Sequence, residues 1–140
     1  MFSPDGRWIA YYSDESGRNE VFVRPFPGPG GSKWQISTAG GTYPIWSRTR
    51  HELIYKGLDN VLMVASYTID GNSFKADKPK VWSPQALQQR PRQRVYDLHP
   101  DGERIAAFVT PENPSAAPRD KAVFIFNFFD ELRRIALPKK

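Results

Sequence analysis

Short apolar runs separated by polar turns set the rhythm of this chain, and their length and spacing predict strands rather than helices. The runs Arg7–Ser13, Glu20–Pro25, Thr42–Ser47, Glu52–Lys56 and Val61–Ile69 are rich in β-branched and aromatic residues. Lys33–Ser37 reads as a short outer strand, and Phe74–Trp82 as another, interrupted at Pro79. Further along, Arg94–Leu98, Glu103–Thr110 and Lys121–Asn127 repeat the pattern around a connection at Gln85–Arg94 and a Pro-rich loop at Pro111–Asp120. Asp70-Gly71 heads a hairpin, because Gly supplies the positive φ that such turns need. From Asn127 the period changes. Phe128, Leu132 and Ile135 share one helical face, with acidic residues early, arginines late and Pro138 as the stop.

One phrase occurs three times. Phe2-Ser3-Pro4-Asp5-Gly6-Arg7-Trp8-Ile9-Ala10-Tyr11 returns as Trp46-Ser47-Arg48-Thr49-Arg50-His51-Glu52-Leu53-Ile54-Tyr55, then as Leu98-His99-Pro100-Asp101-Gly102-Glu103-Arg104-Ile105-Ala106-Ala107. The offsets are 44 (46 minus 2) and 52 (98 minus 46). A repeat of this length, built of several short strands, is the mark of a propeller blade. The expectation is an all-β fold: a partial β-propeller of about three four-stranded antiparallel blades with a short C-terminal helix. The whole chain, 1–140, forms one partial domain, with blade 1 at 1–41, blade 2 at 42–84, blade 3 at 94–127 and the helix at 128–136. Met1 leads at once into a turn, so the chain is expected to start inside a repeat and to miss most of one inner strand.

Composition narrows the class without naming a ligand. Apolar residues at 39% and aromatics at 14% of 140 residues are enough for a packed core and exclude a disordered chain. No apolar run approaches the roughly 18 residues of a membrane helix, so membrane insertion is not expected. The absence of cysteine excludes disulfides and thiolate metal sites. A net charge of +5 raises polyanion binding, but the basic residues are spread along the chain, with one cluster at Arg90, Arg92 and Arg94 and another at the C-terminus. Nucleic acid is therefore not favoured as a partner.

Ser3-Pro4-Asp5-Gly6-Arg7-Trp8-Ile9-Ala10-Tyr11, followed by Ser13-Asp14 and Glu20-Val21-Phe22-Val23, resembles the WD40-like β-propeller repeat of the TolB type. The second copy keeps Trp46-Ser47 but loses Pro-Asp-Gly, and the third keeps Pro100-Asp101-Gly102 but loses Trp-Ser. The tail, with Tyr96-Asp97-Leu98-His99 and Asn127-Phe128-Phe129-Asp130, is similar to the C-terminal end of long bacterial proteins that carry such propellers. The resemblance implies a final part of a larger polypeptide, such as one with a serine/threonine kinase domain elsewhere, and a periplasmic or extracytoplasmic setting.

No sequence pattern calls for catalysis, a cofactor or a metal. A nucleophile elbow is absent, and both histidines, His51 and His99, stand at turn positions of the repeat. Asp70, Asn72 and Asp77 do not fit a calcium loop, and Gly28-Pro29-Gly30-Gly31 lacks the lysine and helix of a phosphate cradle. Asp5 and Asp101 are read as turn-forming carboxylates. The expected function is non-catalytic scaffolding for a protein or peptide, with self-association through open blade edges. The alternatives are the propeller portion of a hydrolase or kinase, and a saccharide or polyanion binder. The expected ligand or partner surface comprises Trp8, Trp46, Arg90, Arg92 and Arg94, the tryptophans being weighed also as packing between blades.

Overall fold

The computed structural model describes residues 1–28 and 32–110, and the described residues are all-β with no helix. The loop, strand and helix expected over 111–136 lie outside them. Ten strands occur in the described residues: β1 (Trp8–Ser13), β2 (Glu20–Pro25), β3 (Trp34–Gln35), β4 (Thr42–Trp46), β5 (Glu52–Lys56), β6 (Leu62–Asp70), β7 (Ser73–Ala76), β8 (Lys80–Ser83), β9 (Tyr96–Leu98) and β10 (Ile105–Ala107). They form three antiparallel sheets: β1-β2-β3, then β4-β5-β6 with β7 and β8, then β9-β10.

The sheets stack in chain order. Trp8, Ala10, Val21 and Val23 of the first sheet share one core with Trp46, Leu53, Tyr55 and Tyr67 of the second. Ile45, Ile54 and Leu62, from the opposite side of the second sheet, share another core with Tyr96 of the third, and Leu98 and Ile105 pack against it. Strand β5 shows why its sequence is apolar throughout: Leu53 and Tyr55 point back to the first sheet, while Ile54 points forward to the third. A strand covered on both faces loses the polar alternation of a half-exposed one. The second sheet thus has a back face toward the first sheet and a front face toward the third, and the same terms name the corresponding faces of the other two.

Two expected strands are shorter than their apolar runs. The outer strand read as Phe74–Trp82 divides into β7 and β8, both paired to β6: Tyr67–Asp70 takes β7 and Leu62–Val64 takes β8. Pro79, which has no amide hydrogen, sits in the break, and the nine-residue β6 is long enough to carry two partners on one edge. The run Glu103–Thr110 contributes only Ile105–Ala107 to its ladder. Beyond it, Val109 bridges to Leu87, and Thr110 donates to the Ala86 carbonyl, so the end of the run pairs with the preceding connection.

The repeat read in the sequence returns as repeated hydrogen bonding. The amides of Ser3, Ser47 and His99 donate to the carbonyls of Trp8, Glu52 and Arg104. These donors are separated by 44 (47 minus 3) and 52 (99 minus 47) residues, the offsets of the phrase itself. Cross-strand pairs repeat too: Phe2 faces Ile9, Trp46 faces Leu53, and Leu98 faces Ile105. Gly6 and Gly102 close the first and third turns with φ of 70° and 75°.

These two glycines have the same backbone but different neighbours. A Cβ on Gly6 meets nothing within 4 Å, whereas one on Gly102 comes 2.4 Å from Thr49 Oγ1 and 2.8 Å from the buried Ser47 Oγ. Gly6→Ala is therefore expected to cost about 1 kcal/mol, the left-handed conformation alone. Gly102→Ala is expected to cost at least about 1 kcal/mol more, through collision with the second turn. Urea unfolding of both variants measures the difference, and equal costs would mean that the turns do not pack on each other.

Candidate functional site

Antiparallel pairing sorts the loops to two ends of the stack. The repeated turns, 3–7, 47–51 and 99–103, lie at one end. The β1–β2 hairpin, the β3–β4 connection, the β5–β6 turn and the connection 84–94 lie at the other.

At the turn end the polar groups bind one another. Ser3 Oγ donates to Asp5 Oδ1 at 2.5 Å and accepts from the Trp8 amide at 3.0 Å. Asp101 Oδ1 accepts from the amides of Glu103 and Arg104 at 2.9 and 3.1 Å, and its Oδ2 meets Arg104 Nε at 2.6 Å. These bonds hold both carboxyls below the usual carboxylate range, through the Ser3 hydroxyl for Asp5 and the Glu103 amide for Asp101. Thr49 Oγ1 donates to the Asp101 carbonyl at 2.9 Å, and Arg50 pairs with Glu103 at 2.6 Å, so the second and third turns are tied together. His51 stacks on Tyr67 at 5.2 Å, and His99 Nδ1 lies 3.0 Å from Asp101 Oδ2. This end is built as a set of turns.

The opposite end presents a different surface. Tyr12, 40% exposed, packs its ring 5.1 Å from that of Tyr43. Lys56 Nζ sits 5.8 Å from the Tyr43 ring centroid and donates to Asn60 Oδ1 at 3.2 Å. The Tyr96 hydroxyl donates to the Tyr43 carbonyl at 2.5 Å, fastening the third sheet to the second. Tyr43 has φ of 55°, a left-handed conformation that a bulky side chain adopts only under constraint, at a cost of about 1–3 kcal/mol. Tyr43 sits at an irregularity of the ladder, where the β4–β5 register shifts between Thr42 and Ile45. Burial pushes the Tyr43 and Tyr96 phenols up and the Lys56 ammonium down. Both phenols therefore stay neutral donors at physiological pH.

Beside this cluster the β3–β4 connection is held by a carboxylate. Glu20, 1% exposed, accepts from Arg18 Nε at 2.6 Å, from the Gly40 amide at 3.1 Å to each oxygen, and from the Ser37 hydroxyl. Ser37 Oγ in turn accepts from the Val21 amide at 2.8 Å, and Arg18 Nη2 reaches the Thr38 carbonyl at 2.6 Å. Ser16, Gly17, Arg18, Glu20 and Gln35 line an open cleft of about 320 Å³ here. Glu20 also faces Tyr55, whose phenol is pushed up to about 12, first by burial and then by this negative charge.

The five residues expected on a ligand surface divide between core and exterior. Trp8 and Trp46, 1% and 4% exposed, are core residues packed around Phe74 with ring centroids at 5.3 and 6.1 Å, which corrects their assignment to a surface. The physical reason is the two-layer contact between the first and second sheets, where the indoles fill the space beside the small Ala10 and Ala65. Arg90, Arg92 and Arg94 are exposed on one connection at the same end as the tyrosines. Arg90 lies 5.6 Å over the Phe108 ring, Arg94 is 3.5 Å from Asp97, and Arg92 has φ of 58°. Tyr12, Tyr43, Lys56 and Glu20 were not visible as site residues in the sequence. The one signal was Tyr43-Pro44 at the head of an inner strand.

Among the described residues no group of three or more His, Cys, Asp or Glu side chains converges as a metal site, and no helix is long and apolar enough to cross a membrane. Comparison with protein-family models, with curated proteins and with solved structures finds no match to this chain.

Proposed function

We propose that this chain is part of a β-propeller of the TolB-like type and serves as a non-catalytic scaffold that binds a protein or peptide at its hairpin end. The observation that carries the reading is the Tyr12–Tyr43–Lys56 cluster, with Tyr43 held at φ of 55°. Strained backbone persists only where surrounding structure enforces it, and it concentrates at binding sites. Tyrosine and arginine are the residue types over-represented in protein interfaces and their energetic centres. Here two tyrosines and a lysine share one end of the stack with Arg90, Arg92 and Arg94. That chemistry suits an extended segment carrying aromatic and acidic side chains: rings against Tyr12 and Tyr43, carboxylates toward the arginines. The recurrence of turn hydrogen bonds at the sequence offsets supports the repeat architecture that places these loops together.

Selection of a displayed library of random linear peptides against the chain tests the proposal. The expected outcome is one enriched acidic-aromatic motif, whose synthetic peptide binds about tenfold more weakly to Tyr12→Ala. Charge reversal at Arg90, Arg92 and Arg94 together should slow association more than it speeds dissociation. Failure to enrich a motif, or equal binding by Tyr12→Ala, would reject the assignment. Binding of heparin with a steep salt dependence, in place of any peptide, would favour the polyanion reading.

A further inference from the structure

Among the described lysines, Lys56 is half-buried, while Lys33, Lys75, Lys78 and Lys80 are exposed. Its place follows from the pleat of β5. Leu53 and Tyr55 point back to the first sheet, so Ile54 and Lys56 point forward, toward the third. The amine ends between a ring and an amide: Nζ lies 5.8 Å from the Tyr43 ring centroid and donates to Asn60 Oδ1 at 3.2 Å. Asn60 is itself fixed, with φ of 60°, its amide donating to the Gly57 carbonyl at 3.1 Å and its carbonyl accepting from the Leu87 amide at 2.8 Å. No described carboxylate forms an ion pair with Lys56, whereas Lys33 lies 2.8 Å from Glu15. Of the charged groups on the surrounding elements, Arg94 and Asp97 pair with each other at 3.5 Å, and Asp59 of the β5–β6 turn is exposed.

A neutral carbonyl and a ring face stabilise an ammonium less than a carboxylate does, and partial burial takes water from it. Both effects favour the free amine, and burial holds the Lys56 ammonium below the usual lysine range. The Tyr43 phenol, pushed up by its own burial, stays neutral and adds no negative charge. Desolvation and neighbouring positive charge are what turn a lysine into a nucleophile. Arg90, Arg92 and Arg94, exposed at the same end, supply a positive potential that opposes a further cation and attracts an anionic reagent.

We propose that Lys56 is a modification site whose amine takes up the acyl group of a small acyl phosphate. Nζ attacks the carbonyl carbon as the free amine, and the N–C bond forms. The C–O bond to phosphate breaks, its electron pair leaves with the phosphate, and the proton released from nitrogen ends on that phosphate. The amide product is uncharged, so the cation–π contact with Tyr43 is lost while its N–H still faces Asn60. Acylation thereby becomes a switch on the peptide surface, an effect that rests on the function proposed above.

Incubation of the whole chain with acetyl phosphate at neutral pH, followed by peptide mass spectrometry, tests this. Lys56 is expected to be acetylated roughly fivefold faster than Lys75, Lys78 or Lys80. Asn60→Asp sets a carboxylate on the ammonium and tolerates the left-handed backbone. It should bring the Lys56 rate down to that of the exposed lysines, with an unchanged far-UV circular dichroism spectrum. Labelling of Lys56 no faster than the exposed lysines overturns the proposal, as does an Asn60→Asp chain labelled at the wild-type rate. The acetylated chain should bind the selected peptide about fivefold more weakly, and equal binding by both forms removes the switch. Preferential acetylation with no peptide bound by either form rejects only the assigned function, and peptide binding without preferential acetylation rejects only the modification site.

Discussion

Trp8→Ala is expected to lower the unfolding free energy by about 3–5 kcal/mol, and the melting temperature by roughly 10 °C. Trp8 is the largest of the fully buried side chains. Its indole is held edge-on to Trp34 at 5.5 Å and tilted against Phe74 at 5.3 Å, within the core that joins the first two sheets. Truncation removes that ring and leaves a cavity between two sheets whose backbones are fixed by their own ladders, so the gap closes poorly. One detail changes the expectation for a gentler substitution. Trp8 Nε1 is buried and has no hydrogen-bond partner among the described residues. An orphaned donor carries a desolvation cost of about 1–3 kcal/mol. Trp8→Phe deletes the donor along with part of the ring, and the two effects oppose each other, so this variant should stay within about 1 kcal/mol of wild type. Urea unfolding of both variants provides the comparison. A Trp8→Phe variant as unstable as Trp8→Ala would show that the indole N–H is satisfied in solution.

Legibility in the sequence followed the scale of the interaction. The strands were readable because each is a local pattern of β-formers, and the first and third turns were readable because Gly6 and Gly102 mark positive φ, the second only through Trp46-Ser47 and the strand that follows. In the structure the repeat-equivalent residues also take equivalent faces, Leu53 with Ile105 and Tyr55 with Ala107. The division of Phe74–Trp82 was hidden, because Pro79 announces a break but not that both pieces return to one edge of β6. The tryptophans were read both as packing between blades and as a ligand surface, and the structure bears out the packing. The sequence left the two open because an indole in a strand faces solvent or core according to what lies above the sheet, and that is a long-range fact. Tyr12 illustrates the converse. It stands next to Tyr11 in the chain, yet Tyr11 lies on the back face and stacks on Phe22, while Tyr12 points forward to Tyr43. Two adjacent tyrosines thus serve opposite faces, as the pleat requires.

Glu20 was the residue least visible in advance, because it reads only as the polar start of a strand, and its loss is the second large effect expected. Glu20→Ala should cost about 3 kcal/mol. The carboxylate accepts from the Ser37 hydroxyl, the Gly40 amide and Arg18 Nε. Removing it strands the Gly40 amide and the Ser37 hydroxyl in a buried site, each at about 1–3 kcal/mol. Arg18 adds little to this sum, since its side chain is 52% exposed and water replaces its partner. Arg18→Ala is therefore expected to cost no more than about 1 kcal/mol, although it deletes the ion pair outright. The contrast identifies what the carboxylate does. If hydrogen bonds to the β3–β4 connection dominate, Glu20→Ala far exceeds Arg18→Ala, and the Gly40 amide loses protection from hydrogen exchange in the first variant only. Equal costs would instead make the Arg18–Glu20 ion pair the source of stability. Glu20→Gln should fall between them, because its amide retains one accepting oxygen but turns an N–H₂ toward groups that are themselves donors. The clasp also positions the β3–β4 connection, which leads directly into Thr42 and the left-handed Tyr43. Loosening it should therefore weaken peptide binding at the Tyr12–Tyr43 surface before the stack itself unfolds.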